Sequence, residues 1–323
     1  MKVERSCPWL ALSGGVGGAK LALGLARVLE DSSRLMIAAN VGDDFEHLSL
    51  AICPDIDTLM YTLAGIANAG TGWGRAGETN TFMTALAEIG GETWFHLGDG
   101  DLATHVERTR CLRSGETLSA VTALLCARLG IAPVIVPMSD DQVRTIVETE
   151  SGDLGLQQYF VREKCEPAIK GFRYEGAGDA AAHPLILERL EDPTLGAVIL
   201  CPSNPYISID PILALPPLRK AIAESAAPVI AVSPVVGGRA LKGPTVKMMA
   251  ELGNETSAVG VARHYCDLLD GFVVDDVDAG AVDAIAAIGL ETLVTPIVMN
   301  DLDDRMALAS AVLEFAERLR KPA

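Results

Sequence analysis

Aspartates recur in close sets along this chain: Asp43 with Asp44, Asp55 with Asp57, Asp99 with Asp101, Asp140 with Asp141. Oxygen-rich sets of this kind suit Mg2+, which takes one or two carboxylates together with phosphate oxygens and water. A single pair is more often a helix cap or a solvated loop. Asp43 and Asp57 stand apart, because Asp43 follows a strand-like run and Asp57 leads into a helical pattern. These two are the candidate catalytic and metal-ligating residues. Either could hold the ion or accept a hydroxyl proton, and the sequence leaves the two roles open.

A second chemistry-bearing stretch lies upstream, W-L-A-L-S-G-G-V-G-G-A-K from Trp9 to Lys20. An apolar run ends in glycines and opens into a helical pattern. Glycine serves where the backbone needs positive φ or close approach to a ligand. The following helix N-terminus favours an anion. Ser13, Gly14, Gly15, Gly17, Gly18 and Lys20 therefore read as a phosphate cradle, joined by Asn40 at the end of the next strand. The spacing is not that of a P-loop, since no Ser or Thr follows Lys20. It only approximates the dinucleotide fingerprint, since Asn40 stands where an acidic residue would hold a ribose.

The histidines at 47, 96, 105, 183 and 264 share no metal-ligand spacing. His96 and His105 lie in a polar, aromatic stretch; His183 and His264 read as structural. Trp73 and Trp94 suit stacking on a planar ligand and suit a core equally well. The seven cysteines include no C-x-x-C, which fits reduced, mostly buried thiols in a cytoplasmic chain.

The elements that must position these residues alternate. Apolar strands are expected at Trp9–Leu12, Leu35–Asn40, Ile131–Pro137, Ala197–Cys201, Pro228–Val236, Phe272–Asp275 and Leu293–Val298, with strand character also at Trp94–Leu97. Helices are expected at Leu21–Leu29, Leu59–Ala67 (capped by Thr58), Thr81–Ile89, Ala103–Arg113, Thr117–Leu129, Thr245–Leu252, Ser257–Leu269 and Asp301–Arg320. Val143–Glu148 and Leu156–Val161 read as a hairpin. The pattern predicts an α/β, Rossmann-like three-layer fold with a mainly parallel sheet, in one domain over 1–323. Residues 58–130 form a mostly helical insertion. Ligands of such sheets sit beyond the carboxyl ends of the strands. The polar punctuation there includes Ser203-Asn204 and the stretch from Ser233 through Gly237 to Gly243, candidates for a nucleoside end.

The chain has 323 residues, 49% of them hydrophobic, and a formal net charge of −17. That balance argues against nucleic acid and against an anionic membrane surface as partners. No signal-peptide pattern and no bilayer-length apolar run is seen.

Several longer motifs occur in order: S-G-G-V-G-G-A-K at 13–20, N-V-G-D-D at 40–44, C-P-D-I-D-T at 53–58, G-W-G-R at 72–75, L-G-D-G-D-L-A-T-H at 97–105, P-M-S-D-D at 137–141, P-S-N-P at 202–205 and S-P-V-V-G-G at 233–238. With these motifs the chain resembles, nearly end to end, the CofD/FbiA family of 2-phospho-L-lactate transferases of coenzyme F-420 biosynthesis. The resemblance implies a Mg2+-dependent enzyme of EC class 2.7.8 and a homodimer. It implies a guanosine diphospho-linked phospho-acid donor and the deazaflavin FO as acceptor, with GMP released. The acid would be 2-phospho-L-lactate, enolpyruvyl phosphate or 3-phosphoglycerate. By matched position Asp57 would contact FO, with His96, Trp73 and Asn80 about the same pocket. His96 stands where the family usually has Arg or Lys, and Gly100 where it usually has Arg. Two other classes compete: a nucleotide-sugar-binding regulatory protein of the same fold, and an NAD-dependent oxidoreductase. The C-P-D-I-D-T and L-G-D-G-D-L-A-T-H blocks speak against the first, and Asn40 against the second.

Overall fold

A computed structural model describes residues 7–320. Seven strands form one sheet, all neighbours parallel. We number them β1 (Trp9–Ser13), β2 (Leu35–Ala39), β3 (Val134–Pro137), β4 (Val198–Leu200), β5 (Val229–Val232), β6 (Gly271–Val274) and β7 (Glu291–Val294). Their spatial order is β7-β6-β5-β4-β1-β2-β3. The central five are apolar and buried along their whole length, because helices cover both faces. Connections from β1 run outward one way and those from β4 the other. The reversal falls between β1 and β4, so a crevice opens beyond their carboxyl ends.

The first five α-helices are α1 (Gly15–Val28), α2 (Pro54–Leu63), α3 (Thr81–Glu88), α4 (Asp99–Arg113) and α5 (Leu118–Arg128). Helix α1 packs on the closing helix Leu302–Leu319, where Gly24 lets the Arg305 carbonyl come close. Asp301 caps that closing helix, its carboxylate accepting from the Asp304 N–H at 2.9 Å. The hairpin Phe45–His47/Leu50–Ile52 and α3 share a satellite core of Ile52, Met83 and Leu97, with Phe45, Phe82 and Phe95 against it. No helix among the described residues is long and apolar enough to cross a membrane.

Several boundaries differ from the sequence reading. Helix α2 begins at Pro54 rather than Leu59, so Thr58 is interior and Asp55 and Asp57 lie in the first turn. Pro54 occupies the position where its missing N–H costs nothing. Helix α4 begins at Asp99 rather than Ala103, and Trp94–Leu97 is irregular. Residues Leu156–Val161 are not a strand: a short π-helical turn spans Gln158–Arg162 with Tyr159 fully buried. The small antiparallel sheet instead joins Arg144–Thr149 to Gly152–Gly155 and to Ile169–Glu175. Short apolar runs do not distinguish strand from helix by periodicity. The last strand begins at Glu291, two residues ahead of the expected Leu293.

Candidate active site

At the reversal point β1 ends in Ser13 and the chain turns through Gly14 into α1. Ser203, just past β4, donates its hydroxyl to the Gly14 carbonyl at 2.7 Å and ties the two strand ends together. Gly15 takes a φ of 64°, which glycine adopts freely. Gly17 and Gly18 serve packing: a Cβ at Gly17 would lie 2.1 Å from the Pro202 carbonyl oxygen, and one at Gly18 2.3 Å from Ser13 Oγ. Ser13 is fully buried and its hydroxyl has no hydrogen-bond partner.

The start of α1 already faces an anion of the chain itself. Gly15 N–H donates to Asp55 Oδ1 at 2.5 Å, and Asn40 Nδ2 donates to Asp55 Oδ2 at 2.9 Å. Asn40 also donates to the Ile207 carbonyl and accepts from Gly42 N–H. Asp43 and Asp44 follow at once, each only 6% exposed, each with an Oδ1 that is buried and unpartnered. Gln157 Nε2 reaches Asp43 Oδ2 at 3.4 Å. Burial, then the Asp55 and Asp44 charges, raise the Asp43 pKa well above the carboxylate range. Burial likewise pushes Asp44 up to about 7 and Asp55 to about 6, the latter opposed by the Asn40 and Gly15 hydrogen bonds. A cavity of about 240 Å3 opens beside Asp44, with Cys53, Asp140, Asp141 and Arg144 on its walls.

Asp57 belongs to an adjoining group. Arg108, fully buried on α4, grips both Asp57 carboxylate oxygens. Arg108 also contacts His105 Nδ1 at 3.2 Å. Asp101 accepts from the Tyr61 hydroxyl at 2.6 Å and lies 3.3 Å from His105 Nε2. Asp57, Asp101 and His105 each offer one ligand atom, all within 4.8 Å of one another. The two aspartates expected to hold the ion fall in adjoining groups, with Asp44 in charge range of both Asp57 and Arg108. Asp43 sits with Asp44 and Asp55, while Asp57 sits with Asp101, His105 and Arg108. Arg75, from the loop after α2, donates to the Gly100 carbonyl at 3.0 Å and lies over the Tyr61 ring.

The remaining candidates are dispersed. Asn80 and His96 meet at 2.9 Å on the exposed surface, and Trp73 nearby in sequence is 53% exposed. Trp94 packs with Phe45 and His47, at 6.0 and 5.1 Å between ring centroids. Lys20 donates to the Met299 carbonyl at 2.6 Å. Past β4, Asn204 accepts from Tyr206 N–H and donates to Met248 sulfur. The Ser233 hydroxyl is engaged in its own turn with Val235, and Gly237 N–H donates to Asp278.

Sequence reasoning missed Arg108 and Tyr61 altogether, and it quoted Arg75 within G-W-G-R without giving it a role. Asp101, His105 and Arg108 follow one another at i, i+4 and i+7, a single helical face. Starting α4 at Ala103 hid Asp101 from that face. Asp99 and Asp140 are structural caps, as the ordinary reading of such pairs expects. Asp99 accepts from Thr81 and Phe82 N–H, and Asp140 from Ser119 N–H.

Comparison with known proteins shows the family and the fold. The family model described as 2-phospho-L-lactate transferase CofD matches residues 10–295. A phosphoenolpyruvate transferase of Streptomyces griseus is 43% identical, covering 96% of this chain and 99% of its own. Proteins of the same name from Streptomyces coelicolor and Mycolicibacterium smegmatis are 40% and 36% identical, covering 97% and 94% of this chain and 99% and 97% of their own. A crystal structure of a UPF0052 family member from Bacillus halodurans shares the fold, with a TM-score of 0.61 at 14% identity over 95% of this chain and 98% of that one. The chain belongs to the CofD family of 2-phospho-L-lactate transferases.

Proposed function

We propose that this transferase moves an enolpyruvyl phosphate group from a guanosine diphospho-linked donor to the ribityl hydroxyl of the deazaflavin FO. The hydroxyl oxygen forms a bond to the phosphorus that carries the acid. The bond from that phosphorus to the GMP oxygen breaks, GMP leaves, and a phosphodiester results. The observation that carries this reading is the α1 N-terminus at the β1/β4 crevice, held by Asp55, with Asp43 and its buried, unpartnered oxygen in charge range of that carboxylate. Such a place suits a diphosphate and its counter-ion. The name shared by the 35–43% identical relatives supports enolpyruvyl phosphate over the other two acids.

The donor set fits Mg2+. Asp43 and Asp44 each carry a buried oxygen without a hydrogen-bond donor, and Mg2+ prefers oxygen ligands. Asp57, with Asp101 and His105, is the second group able to hold a divalent cation, but Arg108 already neutralises Asp57. Mg2+ would supply charge neutralisation of the diphosphate. Asp43 and Asp57 are the two candidates to accept the hydroxyl proton, the one that does not hold the ion taking that role. Asp57, Trp73, Asn80 and His96 are assigned to the FO side. Ser13, Gly14, Gly15, Gly17, Gly18, Lys20, Asn40, Ser203, Asn204, Ser233 and Gly237 are assigned to the nucleotide side. We take the enzyme to work as a cytoplasmic homodimer.

Purified protein with FO, Mg2+ and the guanylylated forms of phosphoenolpyruvate, phospholactate and 3-phosphoglycerate tests this. The enolpyruvyl deazaflavin should dominate the product by mass, with matching GMP release. No GMP from any donor would sink the assignment; FO binding without turnover would favour a regulatory role.

A further inference from the structure

Val16, Lys20 and Gly24 are spaced by four along α1 and so lie on one face of it. Cationic side chains gather along that face. At the Val16 end, Lys242 donates to the Thr71 carbonyl at 2.8 Å. A Cβ at Gly72 there would lie 2.5 Å from Lys242 Nζ and 2.9 Å from Val16 Cγ1. One turn on, Lys20 is held by the Met299 carbonyl. One turn further it is the Arg305 backbone carbonyl that abuts Gly24, while the Arg305 guanidinium lies within charge range of Lys20 and its Nε is buried without a partner. Among the described residues none of the three makes an ion pair. Burial, then Arg305 and Lys242, lower the Lys20 pKa, with Asp304 the opposing acid. The Asp304 carboxylate is already engaged by Asn300, through both its N–H and its side-chain amide.

In a chain of net charge −17, two lysines held by carbonyls rather than carboxylates, with Arg305 within charge range of one of them, are out of keeping with the surroundings. Like charges so placed repel, and a bound anion relieves the repulsion. We propose that Lys20, Lys242 and Arg305 form a phosphate-charge subsite along α1, with Lys242 exchanging the Thr71 carbonyl for a phosphate oxygen of the donor. This deepens the transferase reading and rests on it for the donor's identity. It extends the anion site from the Asp55-filled start of α1 along two turns of its flank. It also makes Lys242 a link between the phosphate and the loop after α2, which carries Trp73 and Arg75.

The probe is inorganic pyrophosphate, titrated calorimetrically into the full chain and into Lys242→Ala, Lys242→Gln and Lys242→Arg variants. Lys242 is exposed, and melting curves will show that each variant folds. Wild type should bind pyrophosphate. Ala and Gln should each bind about tenfold more weakly, and Arg should restore the affinity. In the transferase assay Lys242→Gln should raise KM for the donor about tenfold and leave KM for FO unchanged. Glutamine can still donate to the Thr71 carbonyl, so a Gln variant that binds like wild type would reduce Lys242 to a loop tether and overturn the proposal. No pyrophosphate binding by wild type would overturn it too. Charge-dependent pyrophosphate binding without GMP release from any donor would instead sink the transferase reading and keep this subsite.

Discussion

At the residue scale, Arg108 is the side chain on which the candidate site most depends. It is fully buried and meets the two Asp57 oxygens, and burying such a pair costs desolvation that only good geometry repays. Removing one partner leaves an uncompensated charge in the core. Arg108→Met is therefore expected to destabilise the protein by about 3–5 kcal/mol in chemical denaturation. Adding Asp57→Asn to that variant should recover part of the loss, because the stranded charge is then gone. A single variant as stable as wild type would mean that Asp57 finds water or another donor. None of this was visible from residue types alone. Arg108 lies 51 positions from Asp57, and only the packing of α4 on α2 brings them together.

At the element scale, the glycines of α1 set how closely the helix approaches the strand ends. Gly17 faces a backbone carbonyl, that of Pro202, which cannot rotate away as a side chain can. Gly17→Ala should cost about 1–3 kcal/mol by urea unfolding. The same change would push α1 off the β4 end and so weaken donor binding beyond the stability loss. An alanine variant of wild-type stability would show that the loop after β4 moves freely. Here the sequence was informative about the element and less so about its reason. The run of Gly14, Gly15, Gly17 and Gly18 marks a strand-to-helix turn, as the structure has it. Yet Gly17 and Gly18 make room for Pro202, Ser13 and Ser203, and the Gly15 N–H faces a carboxylate of the chain itself.

Over the whole molecule the excess of acid matters most where it is buried. Asp43, Asp44 and Asp55 have pKa values raised by burial, about 7 for Asp44 and about 6 for Asp55. A carboxyl whose folded pKa exceeds its unfolded value, near 4, binds its proton more tightly in the folded state. Its ionisation costs nothing below the unfolded pKa and costs stability as pH rises through the folded one. The metal-free protein should therefore lose melting temperature between about pH 4 and pH 8. Mg2+ bound as proposed would hold the ionised carboxylates, so its stabilising effect should grow across the same window. Differential scanning calorimetry with EDTA or with Mg2+ checks both slopes; a melting temperature that climbs through this range in EDTA would contradict the burial of these acids.

By itself the sequence determined the layered parallel sheet, since buried apolar runs alternating with helical patterns have few other ways to cover both faces. It determined the family, through motifs spread from Ser13 to Gly238. It also determined that Asn40, Asp43 and Ser203 lie at strand ends. Only the tertiary structure decided which of those groups meet. It set Asp43 beside Asp55 and gave Asp57 to Arg108. It held Lys20 on the Met299 carbonyl and paired Asn80 with His96. The physical reason is range. Periodicity and turn chemistry report on neighbours within a few residues, whereas a buried charge takes the partner that packing brings to it, here from a helix half a hundred residues away.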